Sequence, residues 1–171
     1  MNKSLLKINN KAFSLIEVLL YLSLVVIVIG GVMTFSQEIF DISGKAKIIN
    51  DVDYESNYAL NKLANYIKES KAINSPIFSQ ADNTISLQDT NNKTIFIKLI
   101  NNQIKISFDG INYIPLTSNK IIINDLKFTN LGMPNTNGLI KINFIANNKT
   151  ENTREIYNFV NNYQIYATPR I

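Results

Sequence analysis

Glu17 is the only charged residue between Phe13 and Phe35. Its neighbours, in the run FSLIEVLLYLSLVVIVIGGVMTF, are apolar or small. A carboxylate in such a run has two uses. It can hold a cation, or it can reach up to water. Placed in hydrocarbon, it costs about 2.5–3.5 kcal/mol on insertion scales, so it needs a partner. One turn from the end of a span, it can instead snorkel towards the headgroups. An unpaired charge in apolar surroundings is much worse than a paired one, so pairing Glu17 would fix register between whatever elements supply the two charges.

The rest of the composition removes most other chemistry. The chain has no His and no Cys. That excludes imidazole bases, thiolate nucleophiles, the usual zinc ligands and disulfides. An enzyme would need a Ser–Lys pair, a carboxylate pair or an acidic metal site. No S-x-x-K stands at a helix start, and Asp82, Asp89, Asp109 and Asp125 are scattered, with no D-x-[DN]-x-[DN]-G loop. No catalytic residue, no cofactor and no metal is expected.

The formal charge of +4 is unevenly placed. Residues 1–12 carry Lys3, Lys7 and Lys11 and no acid; Glu38 and Asp41 are the first charges after the apolar run. The 171 residues suffice for one membrane segment and one modest domain. As a helix, residues 13–35 would extend roughly 34 Å, enough for a bilayer core. No small-residue cleavage site follows the run, as it would in a secretory signal peptide. The lysines place the N-terminus in the cytoplasm and the remainder outside, as a single-pass membrane protein. Gly30 and Gly31 mark a soft point within the helix.

Beyond Met33 the apolar residues form a stripe. Ile42, Ile49, Val52, Leu60, Leu63 and Ile67 recur near three and four residues apart, which predicts an amphipathic helix to about Lys71, with Gly44 as an interruption. Asn74, Ser75 and Pro76 stop it. From Thr84 the period falls to two, in TISLQD, KTIFIKLI, QIKISF, INYIPLT, KIIINDLKFT, GLIKINFIA and REIYNFVNNYQIYAT. Ile104, Ile106 and Phe108 are expected on one face, and Asp109–Gly110 reads as a two-residue hairpin turn. The segment Met133–Gly138 reads as an exposed loop. The fold class is α+β: a long N-terminal helix, transmembrane in its first half and amphipathic in its second, packed against an antiparallel sheet.

The stretch KAFSLIEVLL resembles the prepilin signature of type IV pilins and of the type II secretion and competence pseudopilins. In that family a basic leader ends in a small residue, usually Gly, a Phe follows, and a Glu stands fifth in the mature chain. Ala12, Phe13 and Glu17 fill those places. The resemblance implies a pilin-like fold and cleavage by prepilin peptidase between Ala12 and Phe13. N-methylation of Phe13 and assembly into a type IV pilus or pseudopilus filament are implied too, with Glu17 setting register against the new amine. The organisation becomes a leader (1–12), a membrane segment (13–35), an amphipathic extension (36–72) and a β-rich head (73–171). The implied partners are the peptidase, other major and minor pilins or pseudopilins, an inner-membrane assembly platform protein and the lipid bilayer. Ala12 departs from Gly by one methyl group, which implies slower processing rather than none. The apolar run has no Pro, unlike many major pilins. Leu116–Phe128 and the terminal YQIYATPRI resemble the pseudopilin J group, which points to a minor subunit at the priming or tip complex.

Two alternatives remain open from the sequence. A competence pseudopilin acting in DNA uptake would use Lys141, Lys149 and Arg154 with Tyr157, Tyr163 and Tyr166, although the tyrosines have strand spacing. A single-pass membrane adaptor would keep its leader.

Overall fold

The computed structural model describes residues 14–133, 136, 138–149 and 158–170. The leader with Ala12 and Phe13, the basic Arg154, Tyr157, and residues 134, 135 and 137 of the Met133–Gly138 loop lie outside the described residues. Contacts divide the chain into two units, Met1–Ser43 and Gly44–Ile171. Helix α1 runs from Leu15 to Glu69 and continues through Gly44 without the interruption that the sequence allows. The described part of the first unit is Ser14 and the opening half of α1.

The second unit holds the rest of α1 and nine strands among the described residues. These are β1 (Ala72–Ser75), β2 (Ala81–Asp82), β3 (Thr84–Gln88), β4 (Thr94–Ile100) and β5 (Gln103–Ser107), then β6 (Ile114–Pro115), β7 (Ile121–Asn130), β8 (Ile140–Asn148) and β9 (Val160–Ala167). The alternation predicts one sheet; the structure has two, ordered β1-β3-β4-β5-β6 and β2-β7-β8-β9. All pairings are antiparallel. The first sheet stops at β6 because Pro115 offers no N–H to a further neighbour. The chain then starts a second sheet with β7.

Both sheets share one core with α1. Leu63, Ala64 and Ile67 of the helix meet Ile85, Leu87, Ile97 and Ile104 from the first sheet and Phe128, Ile142 and Phe144 from the second. Fully burying an aliphatic side chain of this size stabilises by about 1.5–3 kcal/mol. The buried helix face begins at Val52 and includes the small residues Ser56 and Ala59, which let the strands approach closely. Ile42, predicted on the same stripe, is 68% exposed. A stripe marks an apolar face but does not specify where its cover begins.

Local chemistry explains the strand connections. Asn101 and Asn102 join β4 to β5 as a two-residue turn with φ of 51° and 59°. Both residues sit in the left-handed region, which Asn tolerates and a type I′ hairpin requires. Asn102 also links the sheets, because its carbonyl accepts the Ile123 N–H at 2.9 Å and its Nδ2 donates to Asn124 Oδ1 at 3.1 Å. In β7 the buried positions shift from odd (Ile121, Ile123) to even (Leu126, Phe128). A bulge between Asn124 and Lys127, with Asp125 at φ 49°, makes that change of phase.

The predicted two-residue turn at Asp109–Gly110 is instead a longer connection between Ser107 and Ile114. The Asp109 carboxylate draws the chain around itself. It accepts the N–H groups of Asn112 and Ile111, each at 2.8 Å, and the Ser107 hydroxyl at 2.8 Å. These bonds, led by Asn112, hold the carboxyl well below the usual range. Phe108, predicted on the inner face with Ile106, is 51% exposed and packs edge-on against Tyr66 of α1 with ring centres 6.3 Å apart.

Polar contacts fasten the helix at its margins. Glu55 accepts the Ser118 N–H at 3.3 Å. The Tyr163 hydroxyl of β9 donates to the Asp53 carboxylate. Burial, then that carboxylate, push the phenol up from 10.0 to about 12. The fold therefore favours the neutral phenol. Its contribution is complete below pH 10.0, declines as pH rises, and is lost once pH passes about 12. Two pH units of difference correspond to about 2 kcal/mol, given 1.36 kcal/mol per unit and some residual solvent access. Unfolding free energy followed by circular dichroism should fall more steeply between pH 10 and 12 in the wild type than in Tyr163→Phe; parallel profiles would rule out this coupling.

Candidate functional site

The residue most suited to electrostatic work, Glu17, lies in the first turn of α1. The helix begins at Ser14, whose carbonyl accepts the N–H groups of Glu17 at 3.0 Å and Val18 at 3.2 Å. Ser14-x-x-Glu17 has the spacing of a capping box, in which the acid returns to the amide at the helix start. The spacing is legible in the sequence beside the apolar context.

Every residue from Ser14 to Phe35 is exposed. A helix that is apolar on all sides belongs in a protein core or in a membrane. No described residue provides a core around the stretch: Leu15 is 82% exposed and Ile27 72%. Among the described residues, α1 is the one helix long and apolar enough to cross a membrane. Three hydroxyls in or just after the stretch return to the helix backbone. Ser23 donates to the Leu20 carbonyl at 2.8 Å, Thr34 to Gly30 at 2.9 Å, and Ser36 to Val32 at 2.8 Å. Such bonds satisfy these three hydroxyl hydrogens without water, which hydrocarbon favours. Gly30 and Gly31 remain helical, and a Cβ on either would meet nothing within 4 Å.

The other residues with functional potential do not converge. Tyr163 is buried and engaged with Asp53, while Tyr166 is exposed opposite Lys141 on β8. Lys149 belongs to the strand ends, where its N–H donates to the Lys120 carbonyl at 3.0 Å. Among the described residues, no three carboxylates gather as a metal site. A groove of about 540 Å³ opens between the sheets at the β7 bulge, with Lys98 and Leu99 on one side and Asp125, Lys127 and Asn143 on the other. Lys98 is already directed over the Tyr113 ring, 4.2 Å from its centre.

The sequence thus leaves one element with an unmet environment, the first half of α1. A charge in its middle should be far more costly than one on the second half. Val26→Arg is expected to raise the free energy of membrane insertion by about 2.5–3.5 kcal/mol. Tyr54→Arg, at a position 74% exposed in the second unit, should change insertion little. Carbonate extraction of membranes carrying each variant reads the difference, and equal retention of both would count against a span. No family model, curated protein or solved structure matches the chain, so its function is argued from its own residues.

Proposed function

We propose that this chain is a pilin-like structural subunit, a minor pilin or pseudopilin, processed by prepilin peptidase and assembled into a type IV pilus or a type II secretion pseudopilus. The observation that carries the reading is one unbroken helix with two kinds of surface. Residues 15–35 are apolar and exposed on every side, with a single acid in the first turn. Residues 52–67 are amphipathic, with their apolar face in a β-rich core. The basic leader and the Ala12–Phe13 junction stand immediately before that helix.

In this reading the helix first anchors the chain in the inner membrane, N-terminus inside, and later packs among its counterparts in a filament. Cleavage after Ala12 would release an amine at Phe13, one helical turn before Glu17. Lone charges are expensive in hydrocarbon, so amine and carboxylate would be driven to pair, within one chain or between neighbours. The work is assembly, at the priming or tip complex, with the platform protein and other subunits as partners and no substrate turned over.

Two measurements test this. Intact-mass analysis after co-expression with a prepilin peptidase should show a mature chain beginning at N-methylated Phe13; a chain still starting at Met1 would favour the uncleaved adaptor. Glu17→Ala should be cleaved normally yet enter filaments poorly, by an order of magnitude or more if a pair worth about 1.4 kcal/mol or above is lost. Wild-type filament yield from that variant would remove the pairing argument.

A further inference from the structure

The four sheet edges are finished in different ways. Strand β1 has an irregular register between Ile73 and Ser75 and runs into Pro76. Strands β2 and β6 are two residues long, and β6 contains Pro115. Short length, irregularity and proline are the usual means by which an edge avoids pairing with another chain. Strand β9 has none of them. It is eight residues long, VNNYQIYA, without charge, Pro or Gly. Its register against β8 is unbroken from Val160 to Ala167. Among the described residues it pairs with β8 alone.

Two bonds orient the free edge. The Asn148 N–H donates to the Phe159 carbonyl, so that rung is hydrogen-bonded. Alternation along an antiparallel ladder then turns the backbone groups of Asn161, Tyr163, Ile165 and Ala167 towards β8, and those of Val160, Asn162, Gln164 and Tyr166 outwards. The Asn162 N–H accordingly finds its own neighbour, Asn161 Oδ1, at 2.9 Å instead of β8. The same four outward residues are exposed, Val160 at 64% and Tyr166 at 50%.

We propose that this edge receives the β9 edge of a second copy of the chain, antiparallel about a two-fold axis at Tyr163. The register follows from the strand itself. With the axis at Tyr163, all four outward residues meet outward residues, Val160 against the partner's Tyr166 and Asn162 against the partner's Gln164. The strand's exposed aliphatic and aromatic side chains then cover one another twice, a favourable β-branched–aromatic cross-strand pair. The amides face amides. On a two-fold edge residue i meets j while j meets i, so any like-charged pair would occur twice, and β9 carries no charge to create one. The absence of charge along β9 makes it self-compatible. Shifting the axis by one residue either way leaves one outward residue without an outward partner.

The inference does not depend on the peptidase reading, and it is tested separately. The chain contains no Cys, so any disulfide arises from introduced residues. Full-length Val160→Cys and Tyr166→Cys chains, differently tagged, are mixed in detergent micelles and oxidised. The paired Cα atoms would lie about 5.5 Å apart, within disulfide range. Two copies of Val160→Cys would hold their thiols about 20 Å apart at 3.3 Å per residue. The mixture should therefore give a mixed disulfide dimer that neither variant gives alone. Adding Asn162→Lys and Gln164→Lys to both chains, which opposes lysines across the edge, should abolish it while circular dichroism stays unchanged. No mixed dimer would overturn the proposal. So would equal cross-linking of each variant with itself, which would indicate association through the apolar helix alone, or a dimer that survives the lysines.

Discussion

An unbroken α-helix closes its own backbone hydrogen bonds, and that property lets α1 meet two different surroundings. Over residues 15–35 no described residue packs as a cover. The hydroxyls of Ser23 and Thr34, and of Ser36 just beyond, are folded back onto carbonyls three or four residues earlier. Over residues 52–67 the same backbone presents a face of Val, Leu and Ile interrupted by Ser56, Ala59 and Ala64. Those small side chains bring two sheets close enough to form a single core with it. The contacts to Asp53 and Glu55 lie at the margins of that face, where the covering β9 and the connection before β7 begin. Packing thus fixes the second half while backbone closure alone supports the first.

The period-two pattern places the main strands well because each has one buried and one open side. Ile85 and Leu87, Ile95 and Ile97, and Ile140, Ile142 and Phe144 alternate in the structure as in the sequence. Division into two sheets was not legible in the same way. Strand alternation records which side is buried and says nothing about which neighbour continues the ladder. The signals lay elsewhere, in Pro115 and in the phase change of IIINDLKFTN, where apolar positions move from odd to even at Asn124–Asp125. The short β1 and β2 carry too few residues to show any period. At Asp109–Gly110 the turn dipeptide was real, with Gly110 at φ 78°. The several donors captured by Asp109 outweighed the tight hairpin that the dipeptide alone favours.

The candidate site was legible to a different degree. The length and uniform character of the apolar run, and the isolation of Glu17, are sequence facts that need no fold. The structure adds that, among the described residues, nothing buries this run, which counts against the core-helix explanation that composition alone leaves open. It also separates the tyrosines grouped by spacing. Tyr163 belongs to the helix–sheet fastening and Tyr166 to an open edge. Strand parity decides between those fates. The two residues lie three apart, so one faces the core and the other faces outwards.

The position of Glu17 follows from the same closure rule. A serine or threonine hydroxyl carries a donor, and inside a helix it can always return that hydrogen to a carbonyl of the preceding turn. An ionised carboxylate is acceptor-only, and helix interiors offer no free N–H. The exception is the first turn, where N–H groups lack intrahelical partners and the helix dipole favours an anion. An acid in this run more than a turn from Ser14 would face backbone whose N–H groups are already closed within the helix. Position 17 lies in that first turn, and on the proposed processing a new cation is created one turn away. A lone acid in this apolar run is therefore best tolerated near where Glu17 stands, and on the proposed processing its four-residue separation from Phe13 would be about one helical turn.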